Sequence, residues 1–127
     1  MIAGGGGGIP VVRKSDGTRS GIAAVIDKDL TSALMANVMQ IDTMLILTAI
    51  DAVRIHYGTS KETRLGNINC DELERLQAAG EFSTGSMGPK VEASINFIRG
   101  GGKRVVIAHL EQADEALQGN CGTQITA

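Results

Sequence analysis

The chain of 127 residues carries 12 basic and 14 acidic side chains, a net charge of −2, so it offers no basic face for nucleic acid and no polybasic segment for anionic lipid. Its hydrophobic content of 43% is that of a folded domain, whereas only 2% is aromatic; the core must be built from Val, Ile, Leu, Met and Ala, and stacking of bases or sugars on aromatic rings is nearly excluded. The length allows one core and is short for an enzyme that encloses two substrates.

In chain order, only Met1-Ile2-Ala3 precede a run of five glycines, Gly4, Gly5, Gly6, Gly7 and Gly8. A glycine loop that approaches a ligand normally leaves a buried strand, so the sequence is expected to open in mid-fold. Val11-Val12 and the apolar run 22–26 flank Ser15-Asp16-Gly17-Thr18, where Asp-Gly supplies the turn of a small β-hairpin. Leu30, Ala33, Leu34, Val38 and Ile41 recur at helical spacing, which predicts a helix over 29–40 with Asp29 as its N-cap. Residues 43–48 read as a strand buried on both faces, and Val53-Arg54-Ile55-His56-Tyr57 as a half-exposed strand ended by Gly58. Asn69 with Glu72 three positions on predicts a helix that runs to about Ala79 and stops at Gly80. Val91, Ile95 and Ile98 mark a helix from Pro89 to the Gly100-Gly101-Gly102 run. A buried strand over 103–110, a short helix over 111–117 and a last strand over 123–126 complete the chain. The alternation predicts a single α/β domain over 1–127: a three-layer α/β/α sandwich with a mainly parallel central sheet, plus the hairpin.

Cys70 and Cys121 lack metal-ligand spacing, and no secretory pattern opens the chain, so a reducing cytoplasm is the expected location and no metal site is expected. The longest strongly apolar stretch falls far short of the ~20 residues of a membrane span. His56 and His109 have no partner at catalytic spacing and read as ordinary strand residues.

The chemistry concentrates in three segments. Gly85-Ser86-Met87-Gly88-Pro89-Lys90 places a small-residue turn before a helix and one lysine in its first turn, where unpaired N–H groups and the helix dipole favour an anion and oppose a bare cation. Asp27-Lys28-Asp29 offers a cation between carboxylates, and the glycine run offers close backbone approach. Backbone approach, lysines and orienting carboxylates are what phosphoryl transfer requires. Each segment alone also has an ordinary reading: a flexible terminus, a solvated charge cluster with an N-cap, a surface lysine, Ser86 as cap and Met87 as core. Neither a Walker-type loop nor a protein-kinase signature is present.

Together, Gly5-Gly6-Gly7-Gly8-Ile9-Pro10-Val11, Ala24-Val25-Ile26-Asp27-Lys28-Asp29-Leu30 and Gly85-Ser86-Met87-Gly88-Pro89-Lys90-Val91-Glu92-Ala93 resemble the carbamate kinases of the amino-acid kinase family, in the order and separation of that family's carboxyl-terminal half. The resemblance implies a nucleotide-binding half that serves reversible phosphoryl transfer between ATP and carbamate, within arginine metabolism. Carried over by motif, Lys28 and Lys90 would hold the transferring phosphoryl group and Asp29 would orient them. Gly5, Gly6, Gly7 and Gly8 would line the acceptor side. Thr48, Ile50, Asp51, Ser86, Met87, Gly88 and Pro89 would border ATP or ADP, with Mg2+ travelling on the nucleotide. Full-length relatives would be homodimeric. The amino-terminal half, with another phosphate-binding lysine and most carbamate contacts, has no counterpart in this sequence, so the chain alone is expected to be a poor catalyst and a separate amino-terminal half its natural partner. Ala49 stands where many amino-acid kinases place aspartate, and His56 where carbamate kinases often have asparagine. An inactive nucleotide-binding or regulatory module derived from such a kinase is the alternative.

Overall fold

The computed structural model of the chain describes residues 5–82 and 86–127; the expectations placed on residues 1–4 and on Gly85 lie outside them. Strands β1 (Val11–Arg13) and β2 (Arg19–Gly21) pair antiparallel with Arg13 opposite Arg19. The second strand comes earlier than the apolar run 22–26 predicted. Its register is set by the turn: the Asp16 carboxylate accepts from the Thr18 backbone N–H at 2.9 Å and from Thr18 Oγ1 at 2.7 Å, closing the chain before Arg19.

Helix α1 (Lys28–Val38) begins one residue ahead of the predicted start, and its N-cap is Asp27 rather than Asp29. Asp27 Oδ1 accepts from the N–H groups of Asp29 at 2.8 Å and Leu30 at 3.1 Å. Strand β3 (Thr43–Thr48) stands where the apolar run predicted it. The half-exposed strand predicted over 53–57 shrinks to β4 (Arg54–Ile55), paired antiparallel with β5 (Thr63–Arg64). His56, expected to be a strand residue, leaves the extended region with φ of 53° and ends the pairing. Strand β6 (Asn67–Asn69) was not predicted, because Ile68 is its only apolar residue and no alternation is visible. Helix α2 (Cys70–Ala78) follows the expected cap, with Asn69 Oδ1 accepting from the Glu72 N–H at 2.8 Å. Helix α3 (Met87–Arg99) starts two residues before Pro89; proline is tolerated there because first-turn N–H groups have no intrahelical acceptor. Strand β7 (Arg104–His109), a 3-10 turn at Leu110–Gln112, α4 (Ala113–Leu117) and β8 (Thr123–Thr126) complete the order.

The main sheet has the order β3-β7-β8-β6, with β3/β7 and β6/β8 parallel and β7/β8 antiparallel. It is mixed and mainly parallel, and β7 lies in its centre. Strand alternation sends Val105 and Ile107 into one core with Ala33, Leu73, Val91, Phe97 and Ile125, under α1, α2 and α3. Val106 and Ala108 point the other way and pack with Ala116 of α4. Helices thus cover both faces, as the three-layer α/β/α expectation requires. Packing of α1 against α3 places the two helix starts together, and the candidate site is built there. No helix among the described residues is long and apolar enough to cross a membrane.

Candidate functional site

Because Asp27 takes the cap of α1, the carboxylate of Asp29 is free to reach across to α3. Its Oδ2 lies 2.9 Å from Lys90 Nζ, and the two side chains are only 12% and 8% exposed. Lys90, whose charge opposes the dipole in the first turn of α3, therefore has a carboxylate as counter-charge. Lys28, the residue before Asp29, is exposed and lines an open cleft of about 380 Å³ together with Gly5, Gly6, Val25, Ile26 and Asp27.

The glycine loop is fastened to α1 by a hydrogen bond from Thr31 Oγ1, which donates to Gly7 O at 3.0 Å and also to Asp27 O at 2.9 Å. Gly7 has φ of 75°, and a Cβ there would stand 2.5 Å from Ile26 O. Only glycine fits so close to another backbone in this conformation. At Gly5 and Gly6 a Cβ would meet no protein atom within 4 Å, so those two glycines leave the cleft open. Gly7 and Gly8 do not line it; Gly7 is the structural pivot of the loop.

A second cleft, about 270 Å³, opens beyond the carboxyl end of β3, where ligands collect in open α/β sheets. It is lined by Thr48, Ala49 and Ile50, by Arg54 and Tyr57, by Glu81 and Phe82, and by Ser86 and Met87 at the start of α3. Of the predicted nucleotide-bordering residues, Thr48, Ile50, Ser86 and Met87 come together here. Asp51, Gly88 and Pro89 do not line the cleft. The Asp51 carboxylate is held by Arg54 Nη2 at 3.0 Å and by Arg64 Nε at 3.3 Å; the Arg54 hydrogen bond lowers its pKa below the ordinary carboxylate value. Gly88 serves close packing instead, since a Cβ there would stand 2.8 Å from Phe82 O. Ser86 stands at the N-cap position of α3, as read from the sequence, but its side chain makes no capping hydrogen bond.

Sequence reasoning missed Arg54, Tyr57, Glu81 and Phe82. The chain has one Tyr, two Phe and no Trp, yet two of those three rings, Tyr57 and Phe82, line this one cleft. Scarcity of rings in the whole chain does not fix where the few rings gather. The signal that could have found Tyr57 is its isolation, a lone tyrosine beside Gly58 shortly after a buried strand. Among the described residues no three His, Cys, Asp or Glu side chains converge as a metal-binding group.

Sheet, layers and clefts together define an α/β protein whose ligand-sized spaces adjoin the starts of two packed helices. The chain belongs to the amino acid kinase family, whose family model matches residues 2–109. It is 51% identical over 126 residues to the carbamate kinase of Pyrococcus horikoshii, covering 99% of this chain and 40% of that protein. It is 48% identical over 125 residues to the carbamate kinase of Pyrococcus furiosus, again covering 40% of the relative. Among solved structures, carbamate kinase from Giardia lamblia bound to AMP-PNP is 43% identical with a TM-score of 0.90, covering 95% of this chain and 38% of that one. The chain thus spans about 40% of the length of the curated relatives it matches.

Proposed function

We propose that the chain is the carboxyl-terminal, nucleotide-binding lobe of a carbamate kinase. Together with the rest of the fold it serves the reversible reaction of ATP with carbamate to give ADP and carbamoyl phosphate. The observation that carries this reading is the enclosed Asp29–Lys90 pair, 2.9 Å apart, adjoining the exposed Lys28. The likeness to the Pyrococcus and Giardia carbamate kinases supports the choice of acceptor.

In this reading the cleft at the end of β3 receives the nucleotide, and the cleft beside Gly5 and Gly6 receives the phosphoryl group and its acceptor. A carbamate oxygen attacks the γ-phosphorus in line, the bond to the β,γ-bridging oxygen breaks, and ADP leaves with that electron pair. The attacking oxygen is already anionic, so no proton must be removed and no general base is required. What the protein supplies is position and positive charge for the equatorial oxygens. Lys28 and Lys90 supply the charge, while Asp29 fixes the Lys90 ammonium in place. Magnesium enters as MgATP, part of the substrate.

The remaining part of the fold would dock on α1 and the hairpin, where Leu34, Val38, Val11 and Val12 are exposed. The free thiols of Cys70 and Cys121 agree with a reducing cytoplasm. The test is ATP formation from MgADP and carbamoyl phosphate by the chain alone and after mixing with a separately produced amino-terminal lobe of the Pyrococcus horikoshii relative. Activity in the mixture and almost none in the chain alone is expected. Nucleotide binding with no activity in any mixture would instead make the chain an inactive binding module.

A further inference from the structure

The cleft at the end of β3 is walled on one side by a short excursion from the sheet and on the other by Glu81 and Phe82, which follow α2, with Ser86 and Met87 at the start of α3. The two walls meet at one side chain. Glu81 Oε2 accepts from the backbone N–H of His56 at 2.8 Å, and its other oxygen, Oε1, lies 3.1 Å from His56 Nδ1. A single carboxylate therefore satisfies both the main chain and the ring of a residue whose φ of 53° lies in the left-handed region, a conformation uncommon outside glycine, with Asn, Asp and His the side chains that hold it most often.

Each wall is braced within itself. On one side the His56 carbonyl accepts from Thr59 N–H at 3.1 Å and Thr59 Oγ1 at 2.7 Å. Gly58 N–H donates to Glu62 Oε2 at 2.9 Å, while Glu62 Oε1 accepts from Arg54 Nη1 at 3.0 Å. On the other side Glu81 N–H donates to Leu76 O at 3.2 Å, and Phe82 is buried in the core. The residue after His56 is Tyr57, which lines the cleft and is 67% exposed.

We propose that Glu81 is a positioning residue: by clasping His56 it holds the left-handed turn that sets Tyr57 at the mouth of the nucleotide cleft. The inference deepens the nucleotide-lobe reading and rests on it. A preorganised wall binds better than one that must be ordered on binding. Gln can replace Glu here, because its carbonyl oxygen accepts from the His56 N–H and its amide donates to Nδ1 once the ring proton sits on Nε2. Ala can do neither.

The experiment uses the full chain, its Glu81→Ala and Glu81→Gln variants, calorimetric titration with MgATP and amide hydrogen exchange at His56 in the free chain. Glu81→Ala should weaken MgATP binding roughly tenfold by loss of preorganisation and speed exchange at His56, with the thermal midpoint little changed. Glu81→Gln should restore both readouts. Unchanged affinity and exchange in Glu81→Ala would overturn the proposal, as would a Gln variant as impaired as the Ala variant, since the charge and not the clasp would then matter. If the parent binds no MgATP, the nucleotide reading itself falls and the positioning role falls with it, while the His56 exchange rates still report whether the clasp holds the turn.

Discussion

Three neighbouring residues near the start of α1 divide the labour of the site. Asp27 caps the helix, Lys28 faces the cleft and Asp29 crosses to Lys90. Asp29→Asn should destabilise the fold by about 3 to 5 kcal/mol in urea unfolding, because it leaves the Lys90 ammonium enclosed without its counter-charge. Lys28→Ala, by contrast, should change stability by no more than about 0.5 kcal/mol, as expected for an exposed side chain with no partner among the described residues. Glycines separate in the same way. Gly7→Ala, which puts a Cβ onto Ile26 O at a left-handed φ, should cost about 1 to 3 kcal/mol. Gly6→Ala should leave the unfolding midpoint unchanged, since its Cβ would project into open space. The residue types in this cluster were legible in the sequence, but the division was not. Either aspartate of Asp27-Lys28-Asp29 could cap a helix, and what decides between them is Lys90, 61 positions away.

At the scale of elements, local chemistry that closes on itself was readable. The Asn69 cap of α2, the glycine stop after α3, and β3 and β8 all stand where their residues predict. Elements that depend on distant neighbours were not. Strand β6 exists because it pairs with β8, Ile68 opposite Ile125, and β4 is cut short because Glu81 holds His56 in a turn. The same dependence ties α3 to α2. Arg99 at the end of α3 donates from Nη2 to Asp71 at 2.6 Å and to Glu74 at 2.8 Å, and these hydrogen bonds lower the pKa of both carboxyls below the ordinary 3.8 and 4.5. Carboxylates with lowered folded-state pKa stabilise the fold fully above their ordinary values, and the contribution is lost as the pH falls through the lowered ones. Arg99→Ala should therefore reduce the thermal midpoint at pH 7, and the difference from the parent should shrink as the pH falls below the ordinary values of the two carboxyls. A difference that stays constant with pH would show that Arg99 acts by packing alone.

For the molecule as a whole, the notable surface is apolar. Val25 is 97%, Val38 76% and Leu34 66% exposed, in a chain that spans about 40% of its curated relatives. Large apolar side chains this exposed favour self-association, and light scattering at micromolar concentrations should give a mass above the 13.2 kDa of one chain. The fold class was legible because strands and helices alternate along the sequence, and the family because its glycine and lysine segments stand in order. The clefts were less so, since the first joins the glycine loop to residues 25–28 and the second joins the end of β3 to side chains from distant segments. The most direct measurement is calorimetric titration of MgATP into the parent and the Lys28→Ala variant, whose fold should be intact. Binding by the parent with roughly tenfold weaker binding by the variant, about 1.4 kcal/mol, is the predicted result. Equal affinities in the two proteins would contradict the placement of the nucleotide phosphates beside Lys28.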